Sequence, residues 1–107
     1  MQERYIPLPL IRAELMLATA DSLITAKNTN EVAIDAFLEN ADYQIRFAEE
    51  LGYGKRDKEF EELYDAIKNV RKDVKEKNAD NKSLIGNLRK KLSAFKNRIT
   101  PETETKK

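Results

Sequence analysis

The sequence predicts an all-α protein, an antiparallel up-down four-helix bundle, from three observations. Four segments carry apolar side chains at helical spacing, and none shows the two-residue alternation of a strand. The segments are about 17 to 21 residues long and are joined by turns of about four, which favours antiparallel neighbours. Charged residues make up 36% of the chain and glycine occupies only three positions. Such a composition is typical of long helices with solvated outer faces.

The first helix is predicted over about residues 8–27. Pro9 is tolerated in its opening turn, because the N–H group that proline lacks would have no helical partner there. Apolar side chains surround nearly the whole circumference, which predicts burial on most sides. They are Leu8, Leu10, Ile11, Leu15, Met16, Leu17, Leu23 and Ile24. The polar residues 28–30 then form a turn.

The second helix is predicted over about residues 31–51. Thr29 or Asn30 is placed to cap its free N–H groups, and Gly52 is expected to end it as a left-handed C-cap. This helix has two apolar stripes. The stripe assigned to the core consists of Ile34, Phe37, Leu38, Ala41, Ile45 and Ala48. The second stripe consists of Ala33, Ala36, Tyr43 and Phe47.

Each of the last two helices carries one apolar stripe. After a linker at residues 53–56, the third helix is predicted over about residues 57–77 with Asp57 at its N-terminus. Its stripe consists of Phe60, Leu63, Tyr64, Ile67, Val70 and Val74. Residues 78–81 form the next turn, and the fourth helix runs from about residue 82 or 83 to residue 98. Its stripe consists of Leu84, Ile85, Leu88, Leu92, Phe95 and Ile99.

Two residues of the fourth segment disfavour a regular helix. Gly86 costs about 1 kcal/mol relative to alanine inside a helix. It marks either a close helix crossing, which is the interpretation that we favour, or no structural feature at all. Thr100-Pro101 is expected to stop the helix, because a proline disfavours helical backbone in the residue before it. The chain is therefore predicted to comprise one helical-bundle domain over residues 1–100 and a disordered C-terminal tail over residues 101–107.

The composition excludes most familiar active-site chemistry. The chain has no cysteine, histidine or tryptophan. Thiol nucleophiles, His-dependent triads, Cys-ligated metal sites and Glu-x-x-His di-iron sites therefore cannot be built. Tyrosines and carboxylates remain, but paired carboxylates are unspecific in a chain with 19 of them. We expect no enzymatic activity, no catalytic or metal site and no cofactor.

Charge is distributed unevenly: 20 Lys and Arg residues nearly balance 19 Asp and Glu, yet the first half is acidic and the second basic. Four acids share one stripe of the second helix: Asp35, Glu39, Asp42 and Glu49. We interpret this stripe as a solvated face rather than a divalent-cation site. Arg46 lies among the acids and has i,i+4 spacing from Asp42, and calcium prefers a flexible loop to a straight row.

The fourth helix is free of acidic residues from 82 to 98. Its cations Lys82, Arg89 and Lys96 repeat every seven residues and share one face, which makes them candidates for binding an anion or an acidic partner. Three alternatives remain: solvated or intramolecular pairing, a protein partner, and nucleic acid or an anionic membrane surface. Nucleic acid is the less favoured partner, because this face has no stacking aromatics and the pI is only about 7.9. The second and fourth helices are diagonal in an up-down bundle, so we expect their opposite charges to meet across a protomer boundary or to remain unpaired.

The first two helices carry more apolar surface than a four-helix monomer buries. The candidate self-association residues are Met16, Ala33, Ala36, Tyr43 and Phe47. Two alternatives remain: these residues are half-exposed or fill a wide core, or they line a pocket for an apolar small molecule. We expect a homo-oligomer or a protein partner.

The N-terminal hairpin has a distinctive sequence pattern. A Tyr, apolar, Pro, apolar entry at residues 5–8 precedes two helices joined by a short polar turn. Alanine and leucine recur along both helices at Ala18, Leu23, Ala26, Ala33, Ala36, Leu38 and Ala41. Over about residues 4–50 this pattern resembles the C-terminal part of YfdX-family proteins, although residues 27–30 depart from the family's Gly-Lys-Tyr type of connection. The resemblance implies an all-α bacterial protein, often exported and associated with stress responses, and implies no catalytic residue.

The start of the chain lacks the charged region, long apolar core and cleavage site of a secretory signal. No stretch approaches the roughly 18 apolar residues of a membrane span. We therefore expect a protein that does not span a membrane, cytoplasmic as the sequence begins or periplasmic if a leader has been removed.

Overall fold

The protein is an all-α, up-down four-helix bundle, as the sequence predicts. The computed structural model describes residues 8–26, 30–51, 57–76 and 81–105, without the side chains at 57, 81 and 99–105. The helices are α1 (Leu8–Thr25), α2 (Glu31–Glu50), α3 (Asp57–Glu76) and α4 (Asn81–Thr105). Helix α1 packs against α2 and α4, and α3 packs against the same two helices. Within the described residues, no Cα atoms of α1 and α3, or of α2 and α4, lie within 8 Å of each other. Helices α2 and α4 therefore lie at opposite corners of the bundle.

The core repeats at alternating spacings of three and four residues in every helix. Its members are Leu10, Ala13, Leu17 and Ala20 on α1; Ile34, Leu38, Ala41, Ile45 and Ala48 on α2; Phe60, Leu63, Ile67, Val70 and Val74 on α3; and Ile85, Leu88, Leu92 and Phe95 on α4. This heptad spacing is typical of bundles in which each side chain inserts between four residues of the facing helix. Among the described side chains, none that is buried is polar or charged.

The ends of α2 show how the turns satisfy its terminal backbone groups. Oδ1 of Asn30 accepts a hydrogen bond of 3.0 Å from the N–H of Ala33, which confirms Asn30 as an N-cap. At the other end, Leu51 keeps a right-handed conformation with φ −77°, and its N–H donates to the carbonyl of Phe47 at 3.1 Å. The predicted left-handed cap at Gly52 and the alternative cap at Thr29 lie outside the described residues.

Gly86 does not mark a close helix crossing, so that interpretation is wrong. A Cβ atom built on Gly86 would meet nothing within 4 Å outside its own helix. Glycine here faces an open groove between α1 and α4. The helical cost of this glycine is therefore not offset by tighter packing.

The predicted stop at Thr100-Pro101 is also wrong, because α4 continues to Thr105. A proline disfavours the helical conformation before it without excluding it, and a helix passes through at the loss of one backbone hydrogen bond. The division of the chain into a domain over residues 1–100 and a tail over residues 101–107 stays a prediction.

Candidate interaction surface

Where the structure describes side chains, the exposed large apolar ones lie on the first two helices and at the end of α2. Among the described residues they are Leu8 (45% exposed), Leu15 (59%), Val32 (81%), Tyr43 (65%), Phe47 (38%) and Leu51 (51%). Five of the six lie in α1 or α2, and Leu51 is the C-cap of α2. We call these six residues and the exposed Ala36 the outer face of α1 and α2.

Helical geometry places the outer face opposite the core. Val32, Ala36, Tyr43 and Phe47 fall within about 60° of arc on α2, on the side away from its buried positions. Leu8 and Leu15 are seven residues apart and share the corresponding side of α1. Because α1 and α2 are antiparallel, the start of α1 lies beside the end of α2. Leu15 is therefore level with Tyr43, and it lies on the edge of α1 that also borders α4.

The five candidate self-association residues divide between this surface and the edge of the core. Tyr43, Phe47 and Ala36 are exposed, whereas Ala33 is half-buried and Met16 is half-buried against the core. The expectation that α1 is buried on most sides is wrong for Leu8 and Leu15.

The seven-residue repeat of Leu8 and Leu15, out of phase with the buried heptad of α1, was the signal that sequence reasoning missed. Val32 and Leu51 were missed as well. Each of them is a single apolar residue at one end of α2, so periodicity alone does not single it out.

The three heptad cations of α4 lie on one face, and that face is turned towards α1. Nη1 of Arg89 is 2.6 Å from Oδ2 of Asp21, and Nζ of Lys96 is 3.0 Å from Oε1 of Glu14. These acids are themselves seven residues apart on α1. Nζ of Lys82 donates to Oγ1 of Thr25 at 3.0 Å. A seven-residue repeat on α4 thus matches one on α1, and the pairing is intramolecular.

The acidic stripe of α2 forms the opposite seam, with α3. Nε and Nη2 of Arg71 donate to Oδ1 and Oδ2 of Asp35 at 2.7 and 2.9 Å. The hydroxyl of Tyr64 donates to Oε1 of Glu49. The stripe is therefore not simply a solvated face, because Asp35 and Glu49 are half-buried against α3.

The predicted ion pair within α2 is confirmed and also reaches α3. Nε of Arg46 is 2.8 Å from Oδ2 of Asp42. The same guanidinium lies 4.0 Å from the centre of the Tyr64 ring, where its charge faces the π cloud. Glu39, the fourth acid of the stripe, is exposed.

These seams overturn the expectation that the charges of α2 and α4 meet across a protomer boundary or remain unpaired. Asp35 and Glu49 contact α3 and Asp42 pairs within α2. Arg89 and Lys96 of α4 pair with α1. Arg98 of α4 also pairs with Glu59 of α3. The diagonal placement of α2 and α4 is as predicted, but each helix finds opposite charge on an adjacent neighbour.

Two pKa shifts follow from the α2–α3 seam. The two hydrogen bonds from Arg71 hold the pKa of Asp35 below its usual value against the opposing effect of burial. Burial and then the hydrogen bond to Glu49 raise the pKa of Tyr64 above its usual value. Tyr64 is accordingly a neutral hydrogen-bond donor at physiological pH, which is a structural role.

A groove with several apolar side chains lies between α1 and α4. It has a volume of about 610 Å³ and is open to solvent, with Ile11, Leu15, Ala18 and Gly86 along it. Its charged members include Glu14 and Arg89, which already form ion pairs with Lys96 and Asp21. Lys90 and Ser93 add two further polar side chains to its rim.

A metal cluster and a membrane-spanning helix are both absent from the part of the chain that the structure describes. No group of three or more Asp or Glu side chains there is placed to hold a metal ion. Over the same residues, no helix is long and apolar enough to cross a bilayer. No family model, curated protein or solved structure matches the chain. The resemblance of residues 4–50 to the YfdX family stays a prediction.

Proposed function

We propose that this chain is a non-enzymatic helical-bundle protein that acts by self-association through the outer face of α1 and α2. One observation carries the proposal: the exposed large apolar side chains of the described residues all lie on this hairpin. Scattered surface hydrophobes are normal, whereas a contiguous group on one face is typical of an interaction site. Covering such a surface is favourable by about 25 cal/mol per Å² of apolar area.

The experiment is sedimentation velocity over a range from low to high micromolar concentration. We expect concentration-dependent association of the wild-type chain and its loss in Phe47→Glu, because a buried, unpaired carboxylate opposes association. Ala94→Glu is the matched control, since Ala94 is exposed on α4 and receives the same side chain. A wild-type chain that stays monomeric at high micromolar concentration and is unchanged by Phe47→Glu would refute the proposal.

The alternative function, binding of nucleic acid or an anionic surface by α4, is supported less well. Lys82, Arg89 and Lys96 already donate to Thr25, Asp21 and Glu14. An anion would have to compete with these contacts. Absence of binding to a DNA duplex and to anionic vesicles at low salt would remove this alternative, and so would binding that survives charge reversal at all three cations.

A further inference from the structure

We infer that the partner of the outer face is a second copy of this chain, related by a twofold axis that runs along the helices. In this arrangement α1 of each copy lies over α2 of the other. The inference rests on the proposed function and goes further, because it specifies which helices meet and which charges pair.

The first observation is that α1 and α2 contribute opposite charges to the outer face. On α1, the exposed Arg12 lies between Leu8 and Leu15, four residues from one and three from the other. On α2, the exposed acid Glu50 lies three residues after Phe47. The face therefore carries one cation on α1 and one anion on α2.

A twofold axis along the helices makes such a face self-complementary. It lays α1 of each copy over α2 of the other and keeps every residue at the same height along the bundle. Arg12 begins the second turn of α1 and is level with the last turn of α2. It therefore lies about one helical turn, roughly 5 Å, from the height of Glu50 in the second copy, within the reach of an arginine. The symmetry forms this pair twice.

The competing twofold axis, across the helices, brings like charges together. It places α2 over α2 and α1 over α1, each antiparallel to itself. We take this axis to pass between Tyr43 and Phe47. The same operation sets Arg12 near Arg12. Like-charge contacts of this kind cost interaction energy and select against the arrangement.

The size of the face fits a weak dimer. The 18 residues of α1 and 20 of α2 make a surface about 27 Å long and about 20 Å wide, or roughly 540 Å² before side-chain relief. Specific interfaces bury about 800 Å² on each partner, and weaker transient ones bury less. We expect a reversible dimer.

A charge-swap cycle, measured by sedimentation equilibrium, tests the pairing. We expect Arg12→Glu and Glu50→Arg each to weaken the dimer by about tenfold, and the combined variant to recover most of the loss. Lys91→Glu, at an exposed position of α4, is the control for net charge and should leave the dimer unchanged. A dimer that is insensitive to both single changes, or a double variant as weak as the sum of the two, would overturn the pairing.

The absence of cysteine from the chain permits a direct test of orientation. Chains carrying Leu15→Cys and Tyr43→Cys are mixed and oxidised, with a Leu15→Cys and Ala94→Cys mixture as the control. The lengthwise axis predicts a mixed product that joins position 15 to position 43, and no product in the control.

The other outcomes separate this inference from the proposed function. Products that join 15 to 15 and 43 to 43, or assemblies that grow beyond a dimer, would overturn the lengthwise twofold while self-association stands. A strict monomer that forms no cross-linked product would overturn both proposals.

Discussion

The α1–α2 and α3–α4 hairpins share one pattern of buried positions, but they differ in the size of the buried side chains and in the polarity of the surface. Both contribute nine buried hydrophobic residues at heptad spacing, but four of the nine are alanine in the first hairpin and none in the second. The second hairpin instead contains Phe60 and Phe95, whose rings meet edge to face with centroids 5.0 Å apart. Large apolar side chains appear on the described surface of the first hairpin alone. The buried heptad positions therefore specify the bundle, whereas the residues outside them determine which hairpin has an apolar surface.

The largest expected effect is a difference in the loss of stability when a phenylalanine of each hairpin is replaced by alanine. Phe60 is 1% exposed and Phe47 is 38% exposed. We expect Phe60→Ala to destabilise the bundle by about 3–5 kcal/mol, since it leaves a cavity beside Phe95. Phe47→Ala should change the stability of the monomer by less than about 1 kcal/mol. Urea denaturation at a protein concentration where the chain is monomeric measures the free energy of unfolding of both variants. Equal losses of stability would refute the assignment of Phe60 to the core and Phe47 to the surface.

The next effect concerns the seam that joins the hairpins through α2 and α3. The pKa of Asp35 is lowered in the folded state, so this carboxylate contributes stability above its unfolded pKa of about 3.9. That contribution is lost as the pH falls through the lower, folded pKa. We expect Asp35→Asn to cost about 1 kcal/mol at pH 7 and to reduce the loss of stability below about pH 4.

Denaturant unfolding between pH 7 and pH 2 measures the effect of Asp35→Asn. Glu39→Gln, which removes an exposed acid from the same helix, is the matched control. Identical pH profiles for the two variants would show that the contact with Arg71 contributes nothing specific.

The smallest expected effect has the opposite sign and lies in α4. Gly86→Ala should stabilise the protein by about 0.5–1 kcal/mol, because alanine restricts the unfolded chain and favours the helix. The added methyl group meets no atom within 4 Å in the groove beside α1. Thermal or urea unfolding checks the sign. Destabilisation would mean that the α1–α4 pair packs more closely than the structure shows.

Local pattern predicted the helices and the core well. The helix starts at residues 8, 31 and 57 and the core stripes of α2, α3 and α4 follow from apolar spacing, because each element must bury one side. The start of α2 was also readable from Asn30, whose cap depends only on residues within one turn. The two errors along α4, at Gly86 and Pro101, have one cause. The intrinsic helix propensity of a single residue does not determine how closely helices pack or where a helix ends.

The interaction surface was only partly predictable for a different reason. Tyr43, Phe47 and Ala36 stood out because α2 has a clear core stripe from which they are excluded. On α1 apolar residues occupy most of the circumference, so periodicity did not distinguish the exposed Leu8 and Leu15 from the buried Leu10 and Leu17. The buried sides of α1 depend on where α2 and α4 lie.

The amino-acid sequence by itself determined the all-α class, the four helical segments, the heptad core and the seven-residue repeat of cations on α4. Each of these depends on spacing along one helix. Only the tertiary structure decided that the cations meet Glu14 and Asp21, that Asp35 meets Arg71, and that Leu15 is left on the surface. The physical reason is that helical spacing sets the direction of a side chain, whereas its partner depends on how the neighbouring helix is placed and rotated.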